Sequence, residues 1–110
     1  MTEYDFIEVI YSGIKPGMEV RKPNKISKIL EVTQDRKIYY LIGTKNKKAV
    51  TLEDLQEIYR NLVSGSLTNK KIVEISGDSR PCNTTTVKWI LENFKLAYQA
   101  ANGQWKPNWH

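Results

Sequence analysis

The sequence predicts an α+β fold in which a small antiparallel sheet is followed by helices and a C-terminal hairpin. Up to residue 50, short runs of β-branched and aromatic residues alternate with turn residues, which is typical of strands. From Thr51 onward, the apolar residues recur at helical spacing instead. Finally, Asn102-Gly103 separates two short apolar segments and is a strong hairpin signal. We therefore divide the chain into a β subdomain, residues 1–50, and a helical subdomain, residues 51–110, with one compact domain as the alternative.

The N-terminal half predicts four or five short strands that form a sheet or small barrel. The predicted strands are 6–11 (FIEVIY), 18–20 (MEV), 28–32 (KILEV), 38–43 (IYYLIG) and 49–50 (AV). Two lysine-rich segments, 21–25 and 44–48, are predicted to be basic loops between strands. The succession KPGMEV, KILEV, KIYYLIG and KKAV resembles that of small SH3-like barrels. That resemblance implies a curled sheet and leaves the function open, because such barrels bind different ligands or none.

Three capped helices are predicted after residue 50. Thr51 begins the first as the cap of a Ser/Thr-x-x-acid capping box, and Gly65 ends it. Thr68 is the predicted cap of the second helix, which ends at Gly77. Asn83 or Thr84 caps the third helix, and its inward stripe is Val87, Ile90, Leu91 and Phe94. A two-residue type I′ turn at Asn102-Gly103 then joins the strands of the hairpin.

Composition and charge limit the possible functions. The chain carries a net charge of +5, which is the sign that a polyanionic partner requires. Ten basic and six acidic residues lie in residues 1–50 (+4), against seven and six in residues 51–110 (+1). No apolar run approaches the roughly 20 residues that span a bilayer, and the acidic N-terminus does not resemble a signal peptide. Together with Cys82 as the single cysteine, these features predict a cytoplasmic protein without a disulfide.

Residues 51–109 resemble the winged helix-turn-helix superfamily, because three helices and a terminal hairpin follow one another in its order. In that family the third helix enters the major groove of DNA and the hairpin touches a neighbouring groove or the backbone. The turn after Gly77 is about four residues longer than in a compact helix-turn-helix, and Glu92 leaves the third helix with little positive charge. The resemblance implies contacts to nucleic acid from Arg80, Asn83, Thr84, Thr85, Lys88, Trp89, Gln104 and Lys106, and we add the lysines of the second basic loop, Lys45, Lys47 and Lys48.

The threonines, the tryptophans and the loop lysines also have a purely structural interpretation. Thr84 and Thr85 are equally suited to be cap residues or solvent-facing threonines. Trp89, Trp105 and Trp109 are either core residues or an aromatic platform for a base or a partner protein. The lysines of the second basic loop suit the solvated end of a hairpin. The sequence does not decide between these alternatives.

Catalysis has little support in the sequence. His110 is the only histidine and the last residue, and Cys82 has no base partner that the sequence identifies. One cysteine and one histidine do not provide a metal-binding spacing, and no glycine-rich phosphate loop is present. We therefore predict no enzymatic activity, no metal and no cofactor.

These observations together predict a nucleic-acid-binding protein with an accessory or regulatory role. Duplex DNA is the first expectation for its target because of the helix-turn-helix. The alternative is a protein-interaction module, such as a mobile-element or phage inhibitor, that binds an acidic partner through its basic loops and tryptophans.

Overall fold

The computed structural model describes residues 1–22, 25–42, 45–77 and 81–109 and confirms the α+β class. In this part of the chain a four-stranded antiparallel sheet is followed by helices and a two-stranded hairpin, and one further helix precedes the sheet. The elements in chain order are α1 (Glu3–Gly13), β1 (Glu19–Lys22), β2 (Lys25–Val32), β3 (Ile38–Ile42), β4 (Asn46–Val50), α2 (Leu52–Val63), α3 (Asn69–Ser76), α4 (Pro81–Asn93), β5 (Ala97–Gln99) and β6 (Trp105–Pro107).

The predicted first strand, residues 6–11, is wrong, because this segment lies inside α1. Thr2 begins the helix with a complete capping box, in which its side chain accepts from the Asp5 amide. Phe6, Ile7 and Ile10 are buried, and their spacing places them on one face of a helix. A short apolar run such as FIEVIY fits a strand and a buried helix equally well. The capping box at Thr2 and Asp5 stabilises the start of the helix and so favours the helix over the strand.

The four strands form a meander in the order β1-β2-β3-β4, with a bulge in β2 between Ile29 and Glu31. Strands β1 to β4 confirm the four predicted strand segments after residue 11, with somewhat different bounds. The described residues of both predicted basic loops lie largely in strands. Arg21 and Lys22 belong to β1, and Lys47 and Lys48 belong to β4, whereas residues 23, 24 and 44 lie outside the described residues.

The helix starts at Thr51 and Thr68 are confirmed. Each threonine accepts a hydrogen bond from the amide three residues later, over 3.1 Å. The predicted start of the third helix is wrong, because α4 begins at Pro81 and Asn83 lies inside it. Proline suits the first position of a helix, where its missing N–H has no intrahelical partner in any case.

The terminal hairpin is confirmed, but its turn differs from the prediction. The Gly103 amide donates to the Ala100 carbonyl over 2.9 Å, and the strands pair again at Gln104. A type I′ turn requires positive φ at both central residues, whereas here the positive φ, 89°, is at Gly103 and not at Asn102. The connection is therefore a three-residue loop in which the left-handed residue is glycine.

One hydrophobic core contains residues from both halves of the chain. Its members include Phe6 and Ile10 of α1, Ile38 and Tyr40 of β3, and, from the second half, Leu55, Ile58, Ile72, Ile90 and Trp105. Helix α4 contacts both edge strands of the sheet, β1 and β4. The sheet and the helices thus bury each other, and the division at residue 50 stays a prediction. Among the helices described, none is long and apolar enough to cross a membrane.

Tyr11 provides a test of the contact between α1 and the β2–β3 turn. Its hydroxyl donates to the Arg36 carbonyl over 2.6 Å, and burial raises the pKa of Tyr11 above 10.0, although the Arg36 guanidinium acts in the opposite direction. A raised folded-state pKa means that unfolding releases the phenolic proton once the pH exceeds 10.0. We therefore expect stability to fall as the pH rises above that value. In urea denaturation, Tyr11→Phe should show a shallower fall from about pH 9 to about pH 11, and parallel curves would contradict this assignment.

Candidate nucleic-acid interface

An open groove of ≈ 530 Å³ lies beside the exposed side of α4, where the helix passes β1. Its volume falls within the roughly 300–1,000 Å³ typical of ligand clefts. The lining combines two cations, one acid, one aromatic ring and two uncharged polar groups. These residues are Arg21 of β1 and Thr85, Lys88, Trp89, Glu92 and Asn93 of α4.

The groove residues of α4 share one face because of helical spacing. Thr85, Lys88, Trp89 and Glu92 occupy positions i, i+3, i+4 and i+7, so they lie on one face of the helix. The opposite face holds Val87, Ile90 and Leu91, all fully buried. This division of α4 into an inward and an outward face agrees with the sequence prediction.

Trp89 is half-buried and held from behind by Phe94. The two rings meet edge to face, with centroids 6.1 Å apart and an interplanar angle of 71°. Phe94 itself is packed against Gly13 at the end of α1, so closely that a Cβ on residue 13 would overlap its ring. The indole of Trp89 therefore has a fixed support and one side toward the groove.

The two groove cations have no counter-ion among the described residues. Neither Arg21 nor Lys88 forms an ion pair with any residue in that part of the chain. Glu92, also in the groove, is likewise outside the ion pairs formed by described residues. The charge of the groove lining is therefore positive by one unit, and both cations are available to an anionic ligand.

Asn83 and Thr84 do not belong to this surface, which corrects the predicted contact set. Asn83 is 3% exposed and accepts from the Tyr40 hydroxyl, while its amide donates to the carbonyls of Ala49 and Ser76, each over 3.1 Å. Thr84 is 7% exposed, and its hydroxyl has no hydrogen-bond partner among the described residues. Both side chains are buried and neither lines the groove, and Asn83 is held between the sheet and α3, so they do not reach a ligand in the groove.

The other predicted contacts lie away from the groove lining. Lys47 is in ion-pair range of Glu31 at 3.7 Å and lies over the Tyr39 ring, whereas Lys45 is exposed and Lys48 is half-buried. On the hairpin, Lys106 is exposed opposite Tyr98, and the Gln104 side chain donates to the Gly65 carbonyl. Arg80 lies outside the described residues. Of the predicted set, the structure brings together Thr85, Lys88 and Trp89.

The three tryptophans have different environments. Trp105 is 2% exposed and belongs to the core. Trp109 is half-buried and stacks on Tyr59, with centroids 6.2 Å apart and nearly parallel rings. Trp89 is the tryptophan that lines the groove.

Arg21 is the functional candidate that the sequence interpretation missed. The sequence groups it with a basic loop, although the alternation along β1, in which Val20 is buried, places Arg21 on the opposite side of the strand. The alternation along β1 therefore indicates that Arg21 faces away from the core. Its proximity to Lys88, 67 positions later (88 − 21), comes only from the fold.

The described residues contain no group of three His, Cys, Asp or Glu side chains arranged to hold a metal ion. Cys82 is half-buried near the start of α4, and its carbonyl accepts from the Lys22 ammonium and from the hydroxyls of Thr85 and Thr86.

Comparisons with protein-family models, with curated proteins and with solved structures found no match.

Proposed function

We propose that this protein binds nucleic acid through the groove between α4 and β1 and acts as an accessory or regulatory factor without catalysis. The observation that carries the proposal is that Arg21 of β1 and Lys88 of α4 line the same groove. The basic excess lies in the N-terminal half of the sequence, and Arg21 extends it to the exposed face of α4. Two cations without a counter-ion among the described residues, together with polar groups and an aromatic ring in one groove, are groups that bind phosphates and bases.

The arrangement of the second half supports a winged-helix-like unit as part of this proposal. Helix α3 contacts both α2 and α4, and the hairpin contacts α2 through β6 and α4 through β5. The Trp105 amide donates to the Leu67 carbonyl over 2.8 Å, and Thr68 pairs with Gln104. The hairpin is therefore attached to the α2–α3 connection, as a flap beside a presented helix would be. The winged-helix resemblance alone implies duplex DNA as the target, but the proposal itself requires only a nucleic acid in the groove.

Removal of either groove cation should weaken binding. In fluorescence anisotropy with a labelled oligonucleotide, we expect Arg21→Ala and Lys88→Ala each to raise Kd about tenfold at low salt, because each removes a charge-assisted hydrogen bond to phosphate. The slope of log Kd against log salt should also decrease by about 0.7–0.9 for each phosphate that the variant no longer neutralises. Both side chains lie on the surface, so the midpoint of thermal unfolding should stay nearly unchanged.

Lys70→Ala is the matched control, because Lys70 is an exposed lysine of α3 that does not line the groove. We expect it to leave Kd within about twofold of the unaltered protein. Nonspecific electrostatic attraction would instead raise Kd equally in Arg21→Ala, Lys88→Ala and Lys70→Ala. The Kd of Lys106→Ala shows separately whether the hairpin contributes to oligonucleotide binding. Absence of binding by micromolar protein at about 50 mM salt would contradict the proposal.

One observation favours the alternative of a protein partner. Ile26 of β2 is 55% exposed and pairs directly with Arg21, so an apolar side chain and a cation available to a ligand lie side by side on the β1–β2 ribbon. Surfaces that combine arginine with exposed apolar groups are common in protein interfaces. Capture of an acidic protein from a nuclease-treated lysate, abolished by Ile26→Ser, would support this alternative if oligonucleotides fail to bind.

A further inference from the structure

We infer that the groove between α4 and β1 takes a single nucleic-acid strand, with one base stacked on Trp89, and does not take a duplex. This inference rests on the proposed function and specifies its ligand. Three features of the described residues carry it: the burial of the first turns of α4, the strand on the flank of the helix, and the composition of the groove.

The first turns of α4 are not available to base pairs. A recognition helix contacts base edges with residues near its N-terminus. In α4 the corresponding residues Asn83, Thr84 and Thr86 are at most 7% exposed, so their side chains are buried inside the protein. The residues of α4 that are half-buried or exposed, among them Thr85, Lys88, Trp89 and Glu92, lie on one side of the helix, so they offer a narrow strip toward the ligand.

The width of the structure around α4 also argues against insertion into a duplex. The major groove is about 12 Å wide and admits one α-helix, whose diameter with side chains is about 10–12 Å. On the side that carries the exposed strip, Arg21 of β1 forms the second wall of the groove. A helix with a strand on its flank exceeds the width of the major groove, whereas a single strand is narrow enough to lie between the two walls.

The composition of the groove matches the parts of a nucleotide. Trp89 presents an aromatic surface that Phe94 holds in place, and base–aromatic stacking is tolerant of sequence because every base has a π-face. Arg21 and Lys88 are placed to meet phosphates. Glu92 would repel a phosphate, so the edge of the base, with its amino donors, is the part of the nucleotide that suits the Glu92 end of the groove.

The test compares single strands with a duplex of equal length in the same buffer. We use labelled oligothymidylate and oligouridylate of about 12 nucleotides, and a duplex of about 12 base pairs, in anisotropy titrations at about 50 mM salt. At least tenfold tighter binding of one or both single strands than of the duplex is expected, and the two single-strand arms show whether DNA or RNA is preferred. Equal or tighter binding of the duplex would overturn the inference.

Two substitutions of Trp89 provide the second readout. Trp89→Leu removes the aromatic surface and should raise Kd for the single strand about tenfold, while Trp89→Phe keeps a ring and should restore most of the affinity. Circular dichroism identifies any variant that is not folded, and the Phe variant keeps the test valid if Trp89→Leu fails to fold. Equal single-strand affinity of the Phe variant, the Leu variant and the unaltered protein would overturn the stacking role.

The outcomes separate the inference from the proposed function. If the duplex binds as tightly as the single strand and Arg21→Ala weakens both, the protein binds nucleic acid through the groove and the inference fails alone. If no oligonucleotide binds, or if binding is indifferent to Arg21 and Lys88, the proposed function and the inference both fail. Binding of polyglutamate with the same dependence on Arg21 as the single strand would also overturn the inference, in favour of an acidic protein.

Discussion

Asn83→Ala should lower the free energy of unfolding by about 3–4 kcal/mol, because it removes three hydrogen bonds of roughly 1 kcal/mol each, two buried and one partly buried, and leaves buried polar groups without this partner. The Asn83 side chain connects three elements: it accepts from Tyr40 of β3 and donates to Ala49 of β4 and to Ser76 of α3. Domains of this size have a total stability of about 5–15 kcal/mol. The variant should therefore unfold at a much lower urea concentration than the unaltered protein.

Two variants test whether the hydrogen-bond network of Asn83, its three bonds to Tyr40, Ala49 and Ser76, accounts for this loss of stability. Tyr40→Phe removes one of the three bonds and should cost about 1–1.5 kcal/mol. Asn93→Ala, at the exposed end of the same helix, should change stability by less than about 0.5 kcal/mol. A decrease below about 1 kcal/mol for Asn83→Ala would mean that the network does not hold the sheet against the helices.

Trp105→Ala should lower the free energy of unfolding by about 3–5 kcal/mol, which is the range for truncation of a large aromatic side chain in a core. Trp105 is among the largest fully buried side chains and is 2% exposed. Its indole N–H donates to the Asn69 side chain over 2.9 Å, and its backbone amide donates to the Leu67 carbonyl. Truncation therefore leaves a cavity and also weakens the attachment of the hairpin to the α2–α3 connection.

Three comparisons separate the contributions at Trp105. Trp105→Phe retains most of the apolar packing and should cost less than the alanine variant, whereas Asn69→Ala removes only the hydrogen bond and should cost about 1 kcal/mol. Tyr98→Ala, on the facing strand but 48% exposed, should be close to neutral. If Trp105→Ala costs no more than Asn69→Ala, the hairpin does not contribute to the core in the way that its burial indicates.

Local signals predict most of the second half of the chain. The cap at Thr51, the apolar stripe of α2 and the cap at Thr68 all depend on residues within a few positions of each other, and each is confirmed. The same type of signal, a capping box, is present at Thr2 and Asp5, but the β-branched residues that follow it predict a strand. Burial of Phe6, Ile7 and Ile10 against α2 favours the helix, and that packing is not visible in the local sequence.

The candidate site is less predictable because its geometry comes from distant parts of the chain. Local sequence makes Asn83 a cap, since asparagine is common at helix starts, yet its partners are 34 and 43 positions away in β4 and β3. The face of α4 that holds Thr85, Lys88 and Trp89 follows from helical spacing. The position of Arg21 in the groove does not follow from local spacing, because only the packing of β1 against α4 brings Arg21 to the groove.

The aromatic contact between the two ends of this chain has a consequence for how the protein is made. Phe6 packs against Tyr59 and against Trp109, which is 103 positions later (109 − 6). At 11 residues, α1 is shorter than the roughly 12–15 residues that an isolated helix needs to be even marginally stable in water. Synthesis at about 5–20 residues per second separates Phe6 from Trp109 by roughly 5–20 s. During that interval the apolar face of α1 lacks its Trp109 contact, so a chaperone can bind this face until the C-terminal segment has been made.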